Sequence, residues 1–111
     1  LLRSPLLTAD DLVDLVATLD PRAQAVIARR AGLAASVTAA MSALAAREAV
    51  IELARNEDAE ILPSAFRRMV ERFVGDGDLR EILIRRPALP VDCRHLLLAG
   101  VGEALSRSSF V

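Results

Sequence analysis

The chain has 111 residues, a formal net charge of −1 and 53% hydrophobic residues. This length fits one domain, and the hydrophobic content excludes a disordered chain. Aromatic residues make up only 3% of the chain, whereas Ala and Leu supply most of the apolar residues. Because Ala and Leu favour helices, and the residue types that favour strands are few, the composition predicts an all-α fold.

Cap residues and the spacing of apolar residues predict seven helices. Thr8 with Asp11 forms a capping box for the first helix, and the pair Asp20-Pro21 opens the second, which Gly32 ends. Short turns separate the helices that follow. In chain order we expect a first helix that reaches about residue 19, and then helices over about 21–30, 35–45, 47–55, 63–74, 78–86 and 90–106.

Proline and glycine mark the breaks between the later helices. Pro63 starts the fifth helix, residues 75–77 (GDG) interrupt the chain, Asp78 with Glu81 forms a capping box for the sixth helix, and Pro90 starts the seventh. Helical spacing assigns the following residues to the core: Leu12, Leu15, Val16, Leu19, Val26, Ile27, Val37, Met41, Leu44, Val50, Ile51, Ala54, Phe66, Met69, Val70, Phe73, Leu79, Ile82 and Leu83.

A similar phrase returns along the chain: RSPLLTADDL from Arg3, RRAGLAASVT from Arg29, RNEDAEILPS from Arg55 and RRPALPVDCR from Arg85. The first two intervals between these starting points are equal and the third is slightly longer, and intervals of this length are typical of repeat architectures. One unit of this size cannot bury its apolar face alone, so neighbouring units must stack. The pattern therefore predicts a short helical solenoid, with residues 1–111 forming a single domain whose repeat units begin near 3, 29, 55 and 85.

The repeated arginines suggest helix ends. A cation at the last residue of a helix complements the helix dipole and can bond to free carbonyl groups. We expect each arginine to be followed by a turn with an inward residue, which is Leu33 after Arg29 and Leu89 after Arg85. Ile61 takes this place in the third unit, where the turn is longer. The alternative interpretation is a ladder of arginines that binds a ligand.

The phrases IARRAGLAASVTAAM, LARNEDAEILPSAF and LIRRPALPVDCRHLL resemble the repeated turn of an alphaproteobacterial family known as domain of unknown function 2336. The opening SPLLTADDLVDLV also resembles the start of that family's repeat region. The resemblance covers nearly the whole chain. It implies a right-handed α-solenoid of HEAT-like or leucine-rich-repeat-variant-like helical repeats and a binding role, and it carries over no catalytic residue.

Several residue groups contain side chains that are capable of chemistry, but none has a complete pattern. Cys93 and His95 are two residues apart, so on a helix they point about 200° from each other, and zinc would need two more ligands. Phosphotransfer through His95 would need an acidic, exposed surrounding that the segment lacks. The acids at 76, 78 and 81 are too few for a calcium loop, and residues 100–102 (GVG) lack the third glycine of a dinucleotide loop. We therefore expect no enzyme, no metal and no cofactor.

The charge and the cysteine content limit the cellular location and the binding partners that we expect for the chain. All fourteen basic residues are Arg, which suits phosphate and carboxylate but also follows from a GC-rich genome. A net charge of −1 gives no overall attraction to nucleic acid or to an anionic membrane. The single cysteine fits a cytoplasmic location, and no apolar run reaches the roughly 18 residues of a membrane span. The first residues do not resemble a signal peptide, and the chain ends suggest a fragment of a longer protein.

These observations favour a non-enzymatic scaffold that binds a protein partner. The arginines of the repeated turns are the candidate binding residues, and the exposed terminal repeats could mediate homo-oligomerisation. The alternative is binding of the nucleic-acid backbone through an arginine-rich face on the fifth helix. The candidate protein-binding residues are Arg29, Arg30, Arg55, Arg85 and Arg86, and the nucleic-acid candidates are Arg67, Arg68 and Arg72.

Overall fold

The computed structural model describes residues 9–99, and all regular structure in this range is helical. The all-α prediction is therefore confirmed. Within the same range no helix has both the length and the apolar content needed to cross a membrane. The helices are α1 (Ala9–Val16), α2 (Pro21–Ala28), α3 (Ala35–Leu44), α4 (Arg47–Arg55), α5 (Pro63–Phe73), α6 (Gly77–Ile84) and α7, which covers 91–99.

The predicted caps are correct for α2 and wrong for α6. Asp20 caps α2, and its carboxylate accepts a hydrogen bond of 2.8 Å from the amide of Ala23. In α6 the cap is Asp76 rather than Asp78, and Asp76 accepts from the amide of Leu79 at 3.2 Å. Gly77 has no positive φ and begins the helix instead of ending the turn. The Thr8 cap of the first helix, the glycines at 100 and 102 and the end of the seventh helix lie outside the described residues.

Most of the predicted core is buried, but three positions are wrong. Leu15, Val26 and Leu44 are 37%, 60% and 55% exposed. Each lies outside the buried stripe of its helix, and beside Val26 and Leu44 the buried positions are taken by Ala25 and Ala45. The described helices also end earlier than expected, since α1, α2 and α6 stop at residues 16, 28 and 84. Propensity alone does not place a helix end more accurately than this.

The helices pack in two layers. In one layer α1 packs on α3 and α3 on α5; in the other α2 packs on α4 and α4 on α6. The layers meet where α3 contacts both α2 and α4. Side chains that are fully buried between them include Met41, Leu53, Phe66 and Met69. Helices that lie one repeat apart in sequence are thus spatial neighbours, as the repeated phrase requires.

The turns that follow α2, α4 and α6 share one buried position. Leu33, Ile61 and Leu89 are only 5%, 9% and 5% exposed, so the expectation of an inward residue in each turn is confirmed. Gly32 precedes the first of them with φ of +68°, a backbone conformation that side chains with a Cβ rarely adopt. The amide of Glu60 donates to the carbonyl of Leu33 at 3.1 Å, which joins one turn to the next.

We predict that Phe66→Ala destabilises the chain by about 3–5 kcal/mol, because the ring is fully buried and its removal leaves a cavity. The matched surface variant Arg68→Ala should change the free energy of unfolding by under about 0.5 kcal/mol. Urea unfolding followed by circular dichroism measures both values. Similar losses in the two variants would contradict the assignment of the core.

Candidate functional site

The repeated arginines lie where α2, α4 and α6 end. Arg29 and Arg85 are the C-terminal caps of α2 and α6, and Arg55 is the last residue of α4. This confirms the prediction that the arginines mark helix ends. All three side chains are exposed at one edge of the α2–α4–α6 layer.

Asn56 closes the end of the preceding helix in its layer. Its side-chain amide donates to the carbonyl oxygens of Ala28 and Arg30, both at 2.8 Å. Carbonyl groups in the last turn of a helix have no partner within that helix, so they need such donors. The side-chain oxygen of Asn56 also accepts from the amide of Asp58 at 3.0 Å, which orders its own turn.

Two arginines repeat this arrangement further along the chain. Arg86 Nη1 donates to the carbonyls of Ala54 at 3.2 Å and of Asn56 at 3.0 Å. Arg94 donates to the carbonyls of Ile84 at 2.6 Å and of Arg86 at 3.2 Å. The accepting positions therefore follow the same register as the repeated phrase. Arg86 also lies over the ring of Phe66 at 5.6 Å, and burial lowers the pKa of its guanidinium.

The other layer is closed by different side chains. Arg72 donates to the carbonyls of Ser42 at 2.8 Å and Ala45 at 2.7 Å, at the end of α3. The buried Gln24 donates to the carbonyl of Val16 at 2.7 Å, at the end of α1. Burial lowers the pKa of Arg72, with a smaller contribution from the neighbouring charge of Arg68. The ends of α1 to α4 and of α6 are therefore held by polar side chains from other helices or from the turns that follow them.

Ion pairs join helices that are neighbours in one layer. Arg29 Nε lies 3.2 Å from Glu52 Oε1, which links α2 to α4. Arg67 Nε lies 2.9 Å from Asp92 Oδ2, which links α5 to α7. The hydrogen bond from Arg67 lowers the pKa of the Asp92 carboxyl.

A third arginine, Arg47, bridges α4 and α6. It pairs with Asp76, the cap of α6, and with Asp78 at 3.0 Å. The hydrogen bond from Arg47 lowers the pKa of the Asp76 carboxyl, and the amide of Leu79 contributes in the same direction. Asp76 therefore serves both as a helix cap and as an ion-pair partner.

The structure separates the candidate protein-binding arginines by what they contact. Arg29 pairs with Glu52, and Arg86 is half-buried and holds carbonyl groups. Arg55 is 62% exposed on its side chain, and its nearest carboxylate oxygen, on Glu52, is 4.0 Å away. Arg30 and Arg85 are exposed and make no side-chain hydrogen bond within residues 9–99.

The nucleic-acid candidates do not form a free basic face. Arg67 is paired with Asp92, and Arg72 donates to carbonyl groups at the end of α3. Of the three, only Arg68 has neither an ion pair nor a side-chain hydrogen bond in the described part of the chain. Cys93 is fully buried, which raises the pKa of its thiol, whereas His95 is exposed, so the two side chains do not converge. Between residues 9 and 99 no group of three metal-ligating side chains comes together.

A groove of about 690 Å³ lies between the C-terminal ends of α4 and α6. It is lined by Ala54, Arg55, Glu57, Ile82, Arg85, Arg86, Pro87 and Ala88. The sequence had placed Arg55, Arg85 and Arg86 among the candidates, and the fold brings them together. It had not placed Ile82 in a site. The capping roles of Gln24, Asn56 and Arg94 were also missed.

A family model described as "Uncharacterised protein conserved in bacteria (DUF2336)" matches residues 1–110. The chain belongs to this family. The resemblance noted from the repeated turn phrases is confirmed, and membership in the DUF2336 family makes the chain a bacterial protein. No curated protein and no solved structure matches the chain.

We predict that Arg86→Ala lowers the free energy of unfolding by about 1–3 kcal/mol, because two carbonyl groups lose their donor. Arg85→Ala removes the same charge from the adjacent exposed position and should cost under about 0.5 kcal/mol. Chemical unfolding of both purified variants, followed by circular dichroism, makes the comparison. Equal effects would show that the cross-helix hydrogen bonds of Arg86 do not contribute.

We predict that Asp76→Asn reduces the acid sensitivity of the fold while keeping the cap, because Asn also caps helices. Arg47 lowers the pKa of Asp76 in the folded state, so the carboxylate contributes fully above its unfolded pKa of about 3.9. That contribution is lost as the pH falls through the lower folded pKa. Unfolding free energies measured between neutral pH and about pH 2 should fall less steeply in Asp76→Asn than in the parent chain.

The exposed residue Asp14, which makes no ion pair within residues 9–99, supplies the control for this series. Asp14→Asn should leave the acid dependence close to that of the parent chain. If both variants respond alike, the pairing of Asp76 with Arg47 does not account for the pH dependence.

Proposed function

We propose that this DUF2336 chain is a short HEAT-like α-solenoid that acts as a non-enzymatic scaffold and binds a protein partner in the bacterial cytoplasm. The two layers of short helices and the buried residue in each turn support the solenoid arrangement. Proteins built this way expose extended surfaces that suit binding.

The observation that carries the proposal is the exposed edge formed by the ends of α2, α4 and α6. Arginines and carboxylates alternate there, and grooves open between successive helices. A surface of mixed charge with local apolar lining suits a protein partner better than a polyanion, which needs a continuous basic stripe. The alternative, nucleic-acid backbone binding, is less favoured because Arg67 and Arg72 are already engaged.

Capture from the native bacterial lysate tests this proposal. The tagged chain is incubated with lysate with and without nuclease, and retained proteins are quantified by mass spectrometry against an unrelated bait of equal charge. We expect a partner that is retained after nuclease treatment and that binds again as a purified protein. Loss of all specific partners after nuclease treatment would favour the alternative. Sedimentation of the chain alone tests whether it also forms homo-oligomers through its terminal repeats.

We predict negligible binding to a generic DNA duplex at about 150 mM salt, with a dissociation constant weaker than about 10⁻⁴ M. The reason is that most arginines of the candidate face are paired or hydrogen-bonded, so few remain to neutralise phosphates. Fluorescence anisotropy of a labelled duplex measures the affinity. Micromolar binding that disappears when both Arg67 and Arg68 are changed to Ala would instead support the nucleic-acid alternative.

A further inference from the structure

One position in the repeat changes its chemistry from unit to unit. The register of the repeated phrase places Val26, Glu52 and Ile82 at equivalent points of α2, α4 and α6. The carboxylate of Glu52 on α4 pairs with Arg29, which lies at the end of α2. The equivalent neighbour for Arg55 is the apolar side chain of Ile82. Arg55 therefore has no acidic partner on α6 at the place where Arg29 finds one on α4.

The consequence is a cationic groove with an apolar lining. The groove between α4 and α6 contains three arginines and one carboxylate, that of Glu57. Arg86 donates to carbonyl groups, whereas Arg55 and Arg85 are exposed. Arg55 lies 4.0 Å from Glu52 on its own helix, and Arg85 makes no ion pair within residues 9–99. The half-buried Ile82 lines the groove together with Pro87 and Ala88.

Three other surface grooves lack this imbalance. In each of them the carboxylates match or outnumber the arginines, so arginine charge is already compensated. Their charged lining residues are Arg29, Arg55, Glu52, Glu57 and Asp58 in the first, Arg22, Arg29, Glu48 and Glu52 in the second, and Arg47, Arg72, Asp76 and Asp78 in the third.

We infer that the groove between α4 and α6 binds an acidic peptide segment of the protein partner. Carboxylates of the segment would pair with Arg55 and Arg85, since guanidinium groups bind carboxylates through two parallel hydrogen bonds. An apolar side chain of the segment would cover Ile82. This inference rests on the proposed scaffold function and names the chemistry of the partner.

Charge complementarity favours a peptide over a nucleic acid at this place. The groove has no aromatic residue on which a base could stack. Its positive charge is confined to one gap between two helices and does not continue into the adjoining groove, which shares Arg55 and Glu57 with it. A phosphate backbone needs repeated contacts along a stripe, whereas a peptide with two carboxylates and one apolar residue needs only this groove.

The test is a titration of the chain with a short fluorescein-labelled peptide of alternating Glu and Leu at about 150 mM salt. Comparison probes are a Lys–Leu peptide, a Glu–Ser peptide and single-stranded oligothymidine. We expect saturable binding of the Glu–Leu peptide only. No binding of that peptide, or equal binding of the Lys–Leu peptide, would overturn the inference. Tighter binding of oligothymidine would overturn it in favour of nucleic acid.

Variants locate the binding. Combining Arg55→Ala with Arg85→Ala should weaken the affinity for the Glu–Leu peptide by about tenfold or more. The matched double variant, Arg22→Ala with Arg68→Ala, removes two exposed arginines elsewhere and should change the affinity by less than about twofold. If the two double variants lose affinity equally, attraction is nonspecific and the inference is wrong.

Ile82 provides a second, independent variant. Ile82→Glu introduces the acid that α4 already carries at the equivalent position, so it should pair with Arg55 and abolish binding. Ile82→Gln has similar size without charge and should retain most of the affinity. Because Ile82 is half-buried, circular dichroism melting is compared for both variants. Equal peptide affinity in the Glu and Gln variants would overturn the role of charge at this position.

The two proposals fail differently. A lysate partner that still binds the Arg55 and Arg85 double variant would overturn the groove assignment and leave the scaffold function intact. Peptide binding that depends on the two arginines, together with no lysate partner, would support the groove and count against the scaffold function.

Discussion

Backbone carbonyl groups at helix ends impose the main constraint on this fold. The helices α1 to α6 are only eight to eleven residues long, so a large share of their carbonyls lies in a last turn without a partner inside the helix. Asn56, Arg86 and Arg94 meet this need in one layer, and Gln24 and Arg72 in the other. The positions of these donors fix how far one helix can slide along its neighbour.

Short helices also explain why the units depend on each other. An isolated helix of this length is unstable in water, since nucleation costs more than a few hydrogen bonds return. Burial of residues such as Phe66 and Leu53 between the layers supplies the missing stabilisation. The free energy that stabilises such a molecule therefore comes largely from contacts between neighbouring helices, and no single helix forms a domain of its own. The exposed arginines can vary more freely, because they contribute little to this packing.

The fold was largely predictable because the repeat units have equivalent helix ends and turns, so a feature assigned in one unit can be tested in the next. Arg29, Arg55 and Arg85 indicated equivalent helix ends, and the buried turn residues followed from the same register. The misassigned core positions have a common physical origin in side-chain direction. Val26 is apolar, but its direction on α2 leads outward, and only the packing of neighbouring helices reveals this.

The candidate site was less predictable than the fold. The sequence supplied its arginines, but it could not distinguish Arg85 from Arg86, which are adjacent and identical in type. Arg85 is exposed, whereas Arg86 donates to the carbonyl groups of Ala54 and Asn56. This difference depends on the distance between helices. An alignment of the repeat units would have shown that Ile82 occupies in α6 the position that Glu52 occupies in α4. This replacement of an acid by an apolar residue was the available signal for the groove.

In the α2–α4–α6 layer, the side chain that caps each helix end is synthesised later than the helix itself. During synthesis, α2 leaves the ribosome before Asn56, and α4 leaves before Arg86. Chains grow at about 5–20 residues per second, so each of these helix ends waits seconds for its donor. Arg94 follows α6 after only ten residues, and that end is completed sooner. On the nascent chain the ends of α2 and α4 therefore stay open longer than the end of α6, and the end of α4 waits longest.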